Sequence, residues 1–221
     1  MANIAVVDYG SGNLRSVRNA LQTCGANVFV TEKPGDLAEA TAVVLPGVGS
    51  FGDAMTQLGQ KGLVQALKTW IHEDRPFFGI CLGYQVLFEG SEESLDVPGL
   101  GVFSGRVKKF DFSQADPSDE GGLAGLKVPH MGWNQLHLVP TKQNQPEPLW
   151  LGLEAPEVYF VHSYYPAPED DSLVIAKADY GVLFAAAIRR GQLVATQFHP
   201  EKSQGVGLAM LKNWLATVST S

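Results

Sequence analysis

The sequence has little of three features that would each indicate a particular class of protein. Its 221 residues include only two cysteines, too few for the disulfide framework of a small secreted domain. No apolar run approaches the roughly 20 residues that a membrane helix needs, and the N-terminus lacks the basic region and cleavage site of a signal peptide. Lysine and arginine number 16 against 23 acidic residues, a net charge of -7, which argues against a broad nucleic-acid-binding face. We therefore expect a cytoplasmic globular protein that acts on a small neutral or zwitterionic molecule.

The hydrophobic pattern alternates between short strands and amphipathic helices at first, and later predicts strands almost alone. The predicted strands are 4–7, 27–31, 42–45, 76–80, 102–112, 128–139, 159–165, 173–178, 182–189 and 192–198. The predicted helices are 14–23, 34–40, 63–71, a start at 84–88, and 205–218, with an acidic loop at 89–93. With 45% hydrophobic residues the chain can build a substantial core. We predict one α/β domain spanning 1–221, with a mostly parallel sheet that antiparallel strands extend.

A cysteine lies between two glycines where an apolar strand meets a helical pattern. Residues 79–83 read Gly-Ile-Cys-Leu-Gly, a thiol version of the G-x-S-x-G nucleophile elbow. Glycines avoid Cβ clashes in such a tight turn, and nearby helix N–H groups favour the thiolate. The alternative is that a free cysteine is simply a small buried apolar residue, as we expect for Cys24. We predict that Cys81 is a nucleophile.

Two glycine-rich loops follow predicted strands. Residues 46–52 come at the carboxyl end of the third strand, where ligands of open α/β sheets bind. Their backbone N–H groups suit an oxyanion hole facing Cys81, although a flexible connector is the alternative. The loop 8–13 contains two glycines, but Arg15 stands where a dinucleotide-binding G-x-G-x-x-G motif needs the third. We therefore do not expect nucleotide binding.

A thiolate nucleophile needs a base, and the chain offers five histidines. They are His72, His130, His137, His162 and His199. His199-Pro-Glu201 follows a strongly apolar strand, and residues two apart in an extended segment project to the same side. We expect His72 to be solvated and the other three to be ordinary half-buried residues. No histidine or cysteine pair has zinc-ligand spacing, and no metal or other cofactor is expected. The sequence predicts a Cys81, His199 and Glu201 triad.

These motifs carry a resemblance to a known family. Gly-Ile-Cys81-Leu-Gly-Tyr-Gln together with His199-Pro-Glu201 resembles the class I (triad) glutamine amidotransferases. Further stretches are similar to the glutaminase subunits of imidazole glycerol phosphate synthase, namely residues 8–14, 45–52, 129–134, 159–164 and 199–203. The resemblance runs nearly end to end. It implies a class I glutamine amidotransferase-like fold, an open three-layer sandwich.

The same resemblance implies an activity and a partner. The cysteine would attack the side-chain amide of L-glutamine, release ammonia, and be freed by water from the glutamyl thioester. The ammonia would pass to a separate cyclase subunit, a β/α barrel bound as a heterodimer. That subunit would make imidazole glycerol phosphate and aminoimidazole carboxamide ribotide in histidine biosynthesis.

Carried over position by position, the resemblance also implies residue roles. Cys81 would be the nucleophile, His199 the general base and acid, and Glu201 its orienter. The N–H groups of Val48 and Leu82 would hold the oxyanion. The remaining implied roles are the glutamine pocket, lined by Gly49, Gln85, Ser163 and Tyr164, and the cyclase contacts near the ammonia exit, made by Asn13 and Lys202.

Other interpretations remain open from the sequence. The chain could be a glutaminase that feeds a different synthase, or a stand-alone thiol hydrolase of the same topology that needs no partner. A catalytically silent binding subunit is a third, but the intact Cys, His and Glu argue against it. Trapping Cys81 with a glutamine-like electrophile distinguishes the last. The polar stretches 114–122 and 141–148 are expected to be surface loops.

Overall fold

The computed structural model describes residues 2–10, 13–112, 126–140 and 147–218, which build a mostly parallel sheet with helices on both faces. The strands are β1 Asn3–Val7, β2 Asn27–Thr31, β3 Ala42–Gly47, β4 Phe77–Cys81, β5 Phe88–Ser91, β6 Ser94–Pro98, β7 Phe103–Lys109, β8 His130–Gln135, β9 His137–Leu138, β10 Glu157–His162, β11 Tyr164–Pro168, β12 Val174–Asp179, β13 Leu183–Arg190 and β14 Leu193–Thr196. The α-helices are α1 Leu14–Thr23, α2 Phe51–Gln60, α3 Leu63–His72, α4 Leu82–Gln85 and α5 Gln204–Val218. Short 3₁₀ helices lie at Pro34–Glu39, Pro148–Trp150, Asp171–Leu173 and Pro200–Lys202.

Eight of the described strands form a central sheet in the order β2-β1-β3-β4-β14-β13-β12-β9. The first five of these are mutually parallel, and the last three continue antiparallel. The register places Gly47 of β3 beside Cys81 of β4, and Ile80 beside Thr196 of β14. The carboxyl ends of these three strands therefore meet at one edge, where parallel α/β sheets bind ligands.

Side chains alternate between the two faces of this sheet, and each face has its own core. On one face Ile4 and Val6 pack in a cluster with Trp214 of α5 and residues of α1. On the other, Ala5 and Val7 belong to a cluster that includes α2 and α3. Helices cover both faces, which explains why the central strands read as continuous apolar runs. The predicted three-layer α/β sandwich with its antiparallel extension is confirmed.

Two predictions are wrong, one for the loop 46–52 and one for the segment that follows Cys81. The loop 46–52 ends earlier, because Ser50 caps a helix by accepting a hydrogen bond from the N–H of Asp53 at 3.2 Å, and α2 begins at Phe51. The helical pattern at 84–88 yields only the single turn α4, and 88–91 is strand β5 instead of helix and acidic loop. β5 pairs with β6 and β7 in a separate sheet, β11-β7-β5-β6. Tertiary pairing thus overrides the local pattern.

The other predicted strands and helices are present with boundary shifts, but strand β6 and most of helix α2 were not predicted. The predicted helix at 34–40 is a 3₁₀ helix, and β10 pairs with β8 in a two-stranded sheet. The predicted loop 114–122 and most of 141–148 lie outside the described residues. Within the described ranges, no helix combines the length and apolar character needed to cross a membrane.

Candidate active site

Cys81 occupies a strained turn at the end of β4. Its backbone has φ 54° and ψ -107°, a conformation that L-residues rarely adopt. The turn is possible because Gly83 lies against β3, where a Cβ atom would come 1.8 Å from the carbonyl oxygen of Leu45. The local sequence therefore does fold as an elbow, with the cysteine between strand and helical turn. Such strain at a cleft is typical of functional residues.

The Cys81 side chain faces a cavity of about 410 Å³ at the carboxyl edge of the sheet. The cavity brings together residues that are distant in the sequence. Its lining contains all four predicted glutamine-pocket residues, both predicted oxyanion residues and Lys202: Val48, Gly49, Leu82, Gln85, Ser163, Tyr164 and Lys202. Gly49 has φ 105°, a left-handed conformation that favours glycine, and a Cβ atom there would meet no atom within 4 Å.

His199 and Glu201 form a buried pair behind the thiol. Nδ1 of His199 lies 2.8 Å from Oε1 of Glu201, and their side chains are 2% and 1% exposed. The route differs from the prediction, because Pro200–Lys202 forms a 3₁₀ turn instead of an extended segment. Ser203 stabilises this turn by donating its hydroxyl to the carbonyl of His199 at 2.7 Å. The predicted pairing of imidazole and carboxylate is confirmed, whereas the extended backbone that was predicted to produce it is wrong.

The charge state of His199 follows from its neighbours. Burial by itself disfavours the imidazolium, but negative charge on Cys81 and Glu201 outweighs this effect and raises the pKa of His199 to about 10. Nε2 is buried and has no hydrogen bond of good geometry to the described residues. This nitrogen is therefore available to the thiol, whose charge acts on the ring.

Asn13 has a structural contact that the sequence did not reveal. Its Nδ2 donates a hydrogen bond of 2.9 Å to Oε1 of Glu201, across a separation of 188 residues. Asn13 adopts a left-handed conformation, φ 73°, just before α1 begins. The carboxylate oxygen that accepts from His199 therefore also accepts from Asn13. The position implied as a cyclase contact is part of the hydrogen-bond chain behind Cys81.

Gln197 is a second residue that the sequence interpretation missed. It is fully buried just past β14, and its Nε2 donates to Sγ of Cys81 at 3.5 Å. Its Oε1 accepts from Nε2 of Gln85 at 3.0 Å, and the same Gln85 amide donates to the carbonyl of Tyr164 at 2.9 Å. One signal existed, since Gln197 lies two residues before His199, a spacing that in the extended segment predicted from the sequence would place both side chains on the same side.

Two of the remaining histidines are buried, not half-buried as predicted. His162 lines the cavity, and its Nδ1 donates to the carbonyl of Tyr164 at 2.8 Å, so its Nε2 accepts from Nδ1 of His130 at 3.0 Å. Burial lowers the pKa of His162 to about 3 and that of His130 to about 4, so both are neutral. His72 is exposed as predicted, whereas His137 is exposed and not half-buried as predicted.

Comparison with known proteins identifies the family. The chain matches the family Glutamine amidotransferase class-I over residues 5–218. Its structure also superposes on the crystal structure of a glutamine amidotransferase with a TM-score of 0.71 at 18% sequence identity, covering 97% of this chain and 98% of that one. PurLQS from Thermotoga maritima gives a TM-score of 0.71 at 18% identity, with 100% and 99% coverage. The chain belongs to the class I glutamine amidotransferases.

Curated relatives narrow this assignment. "Imidazole glycerol phosphate synthase subunit HisH" from Thermosynechococcus vestitus is 50% identical over 217 residues, 97% of each chain. The protein of the same name from Syntrophotalea carbinolica is 49% identical over 212 residues, 96% of this chain and 98% of that one. Within the amidotransferases, the chain belongs to the HisH subunits of imidazole glycerol phosphate synthase.

Proposed function

We propose that this chain is the glutaminase subunit of an imidazole glycerol phosphate synthase, which hydrolyses L-glutamine and supplies ammonia to a separate cyclase subunit. The observation that carries the proposal is the strained Cys81 turn, which opens on a cavity while the buried His199 and Glu201 pair lies behind it. Membership of the HisH subunits supports the particular synthase.

Acylation uses the charges that surround the thiol. With its raised pKa, His199 is an imidazolium at neutral pH, and a cation there stabilises negative charge on Sγ of Cys81. The thiolate attacks the side-chain carbonyl carbon of glutamine. His199 then gives its proton to the nitrogen, the C–N bond breaks, ammonia leaves and a glutamyl thioester remains. Water attacks the thioester as His199 takes its proton, the C–S bond breaks, and glutamate leaves the regenerated pair.

The oxyanion of both steps needs backbone donors. Leu82 is the first residue of α4, and the N–H groups at a helix start have no acceptor within the helix. Val48 lies in the loop beside it, between Gly47 and the left-handed Gly49. We assign the N–H groups of Val48 and Leu82 to the oxyanion hole, where one donor contributes about 10²- to 10³-fold in rate.

The cavity offers complementary groups for the rest of glutamine. Both amide hydrogens of Gln85 are already used, so Gln85 offers its Oε1 to a ligand. That acceptor suits the α-ammonium group. Gly49, Ser163 and Tyr164 complete the wall that would hold the amino-acid end.

The surface next to the cavity suits a protein partner. Met131 and Trp133 of β8 are large apolar side chains that are 61% and 47% exposed. Trp133 contacts Tyr159, and the Lys202 ammonium lies 5.9 Å from the ring of Tyr159. Lys202 also lines the cavity. A β/α-barrel cyclase docked here as a heterodimer would cover the exit and keep ammonia from becoming ammonium, which is no nucleophile.

Glutamate formation in the presence of a cyclase subunit tests this proposal. Cys81→Ala should reduce it to background while synthesis from added ammonium continues, because only the thiol is lost. His199→Asn should lose at least as much rate as Glu201→Gln, since the first removes proton transfer and the second mainly orientation. Cys24→Ala is the control and should keep full activity. Glutamate formation that survives Cys81→Ala would contradict the assignment.

A further inference from the structure

The hydrogen bonds of Gln197 connect the glutamine pocket to the thiol. The Gln197 side chain is 0% exposed, and its backbone N–H donates to the carbonyl of Ala186 at 2.8 Å, which fixes its position beside β13. From there the carboxamide reaches Sγ of Cys81 on one side and Nε2 of Gln85 on the other. Among the described residues, no other side chain hydrogen-bonds to both the Cys81 thiol and the Gln85 amide.

The direction of this chain of hydrogen bonds is fixed by chemistry. The carbonyl of Tyr164 can only accept, so Gln85 must present its NH₂ group to it. The second amide hydrogen of Gln85 is then donated to Gln197, which must accept it with Oε1. The NH₂ group of Gln197 is therefore the one that faces Sγ. The reverse orientation would set NH₂ against NH₂ at one end and oxygen against sulfur at the other.

We propose that Gln197 is a positioning residue that donates a hydrogen bond to the Cys81 thiolate and is held in the donating orientation by Gln85. This inference rests on the proposed glutaminase function and deepens it. A donor at 3.5 Å stabilises negative charge on Sγ and restricts its direction. Because Gln85 also lines the glutamine cavity, a ligand bound to its Oε1 further restricts the orientation of the hydrogen bonds from Gln85 through Gln197 to Cys81.

The test follows alkylation of Cys81 by iodoacetamide as a function of pH, without glutamine and in a Cys24→Ala background. Gln197→Met keeps the length of the side chain and removes both polar ends. We expect the pH of half-maximal alkylation to rise by about one unit or more, the effect of losing one hydrogen bond to a charged group. The glutaminase kcat of the complex should fall about 10- to 100-fold for the same reason.

Thr196→Val is the matched control. Thr196 is equally buried, neighbours Gln197, and donates its hydroxyl to the carbonyl of Phe198 at 3.1 Å and not to Cys81. Losing this bond weakens the fold but should leave the alkylation profile unchanged. If Thr196→Val shifts the profile as far as Gln197→Met, the role of Gln197 is structural only.

Gln85→Met tests the chain of hydrogen bonds from its other end. It should move the alkylation profile in the same direction by releasing the Gln197 carboxamide, and combining it with Gln197→Met should add no further shift. Additive shifts would overturn the coupling, and an unshifted profile in Gln197→Met would overturn the donor role. Because alkylation needs no glutamine turnover, either result is distinct from failure of the proposed function, which would show as wild-type protein that forms no glutamate with a cyclase. If Gln197→Met does not fold, Gln197→Asn replaces it as the test variant, because the shorter side chain holds its amide donor one methylene farther from Sγ of Cys81.

Discussion

Replacing Asn13 by glycine isolates a single hydrogen bond to the buried carboxylate of Glu201. Asn13 has φ 73°, where glycine is not strained, so Asn13→Gly deletes the side-chain donor and leaves the backbone at ease. Asn13→Ala deletes the same donor but adds left-handed strain of about 1–2 kcal/mol. Comparing the two variants separates the hydrogen bond from the backbone.

The size of the effect follows from the geometry. Oε1 of Glu201 accepts from Asn13 at 2.9 Å and from His199 at 2.8 Å, and the carboxylate is 1% exposed. A hydrogen bond to a charged group contributes about 1.5–3 kcal/mol. If half of that serves to hold the imidazole in the transition state, kcat falls roughly 3- to 12-fold, since 1.4 kcal/mol is a factor of ten. KM for glutamine should change little, because Asn13 does not line the cavity.

Steady-state glutaminase kinetics and Cys81 alkylation measure this prediction. Asn13→Gly should slow alkylation in the isolated chain as well as turnover in the complex, while ammonium-dependent synthesis stays unchanged. Asn27→Ala, which removes an exposed hydrogen bond to Asn3, is the control. If Asn13→Gly weakens cyclase binding but leaves alkylation of the isolated chain untouched, Asn13 is a docking residue and our reasoning is wrong.

Three further predictions concern His199, Lys202 and Gly49. Cys81→Ala should lower the pKa of His199 from about 10, because the negative sulfur is the main influence that raises it. The imidazolium contributes its full stability below the ordinary pKa of 6.5, and this stability is lost as pH rises through the pKa of His199 in the folded protein. Because that folded-state pKa is lower in Cys81→Ala, the variant should lose the stability at a lower pH. An unchanged titration of His199 in the variant, measured by NMR, would refute the prediction. Lys202→Glu should weaken glutamine-dependent synthesis and leave ammonium-dependent synthesis nearly unchanged, and a parallel fall of both would contradict a coupling role. Gly49→Val should lower the glutaminase kcat of the complex, because valine resists φ 105° and so restricts the adjacent Val48 peptide that we assign to the oxyanion hole; wild-type turnover in this variant would contradict that assignment.

Some parts of the structure could be read from the sequence because local chemistry determines them. The elbow at Cys81 needs Gly83 in contact with β3, so the motif itself encodes the turn. The apolar runs of β1, β3 and β4 predict a sheet buried on both faces, since no polar face is left in them. His199 and Glu201 are close in sequence, so their pairing needed no long-range contact.

Tertiary structure alone decided the rest. The hydrogen bond from Asn13 to Glu201 spans 188 residues and that from Gln197 to Cys81 spans 116, distances over which periodicity carries no information. The pattern after Cys81 reads as helix, yet β5 forms there because β6 and β7 supply hydrogen-bond partners. The sequence by itself determined the nucleophile turn and the fold class, because both follow from side-chain size and apolar pattern. Which side chains support the thiol was decided by the fold, because the register of β3, β4 and β14 brings their carboxyl ends together.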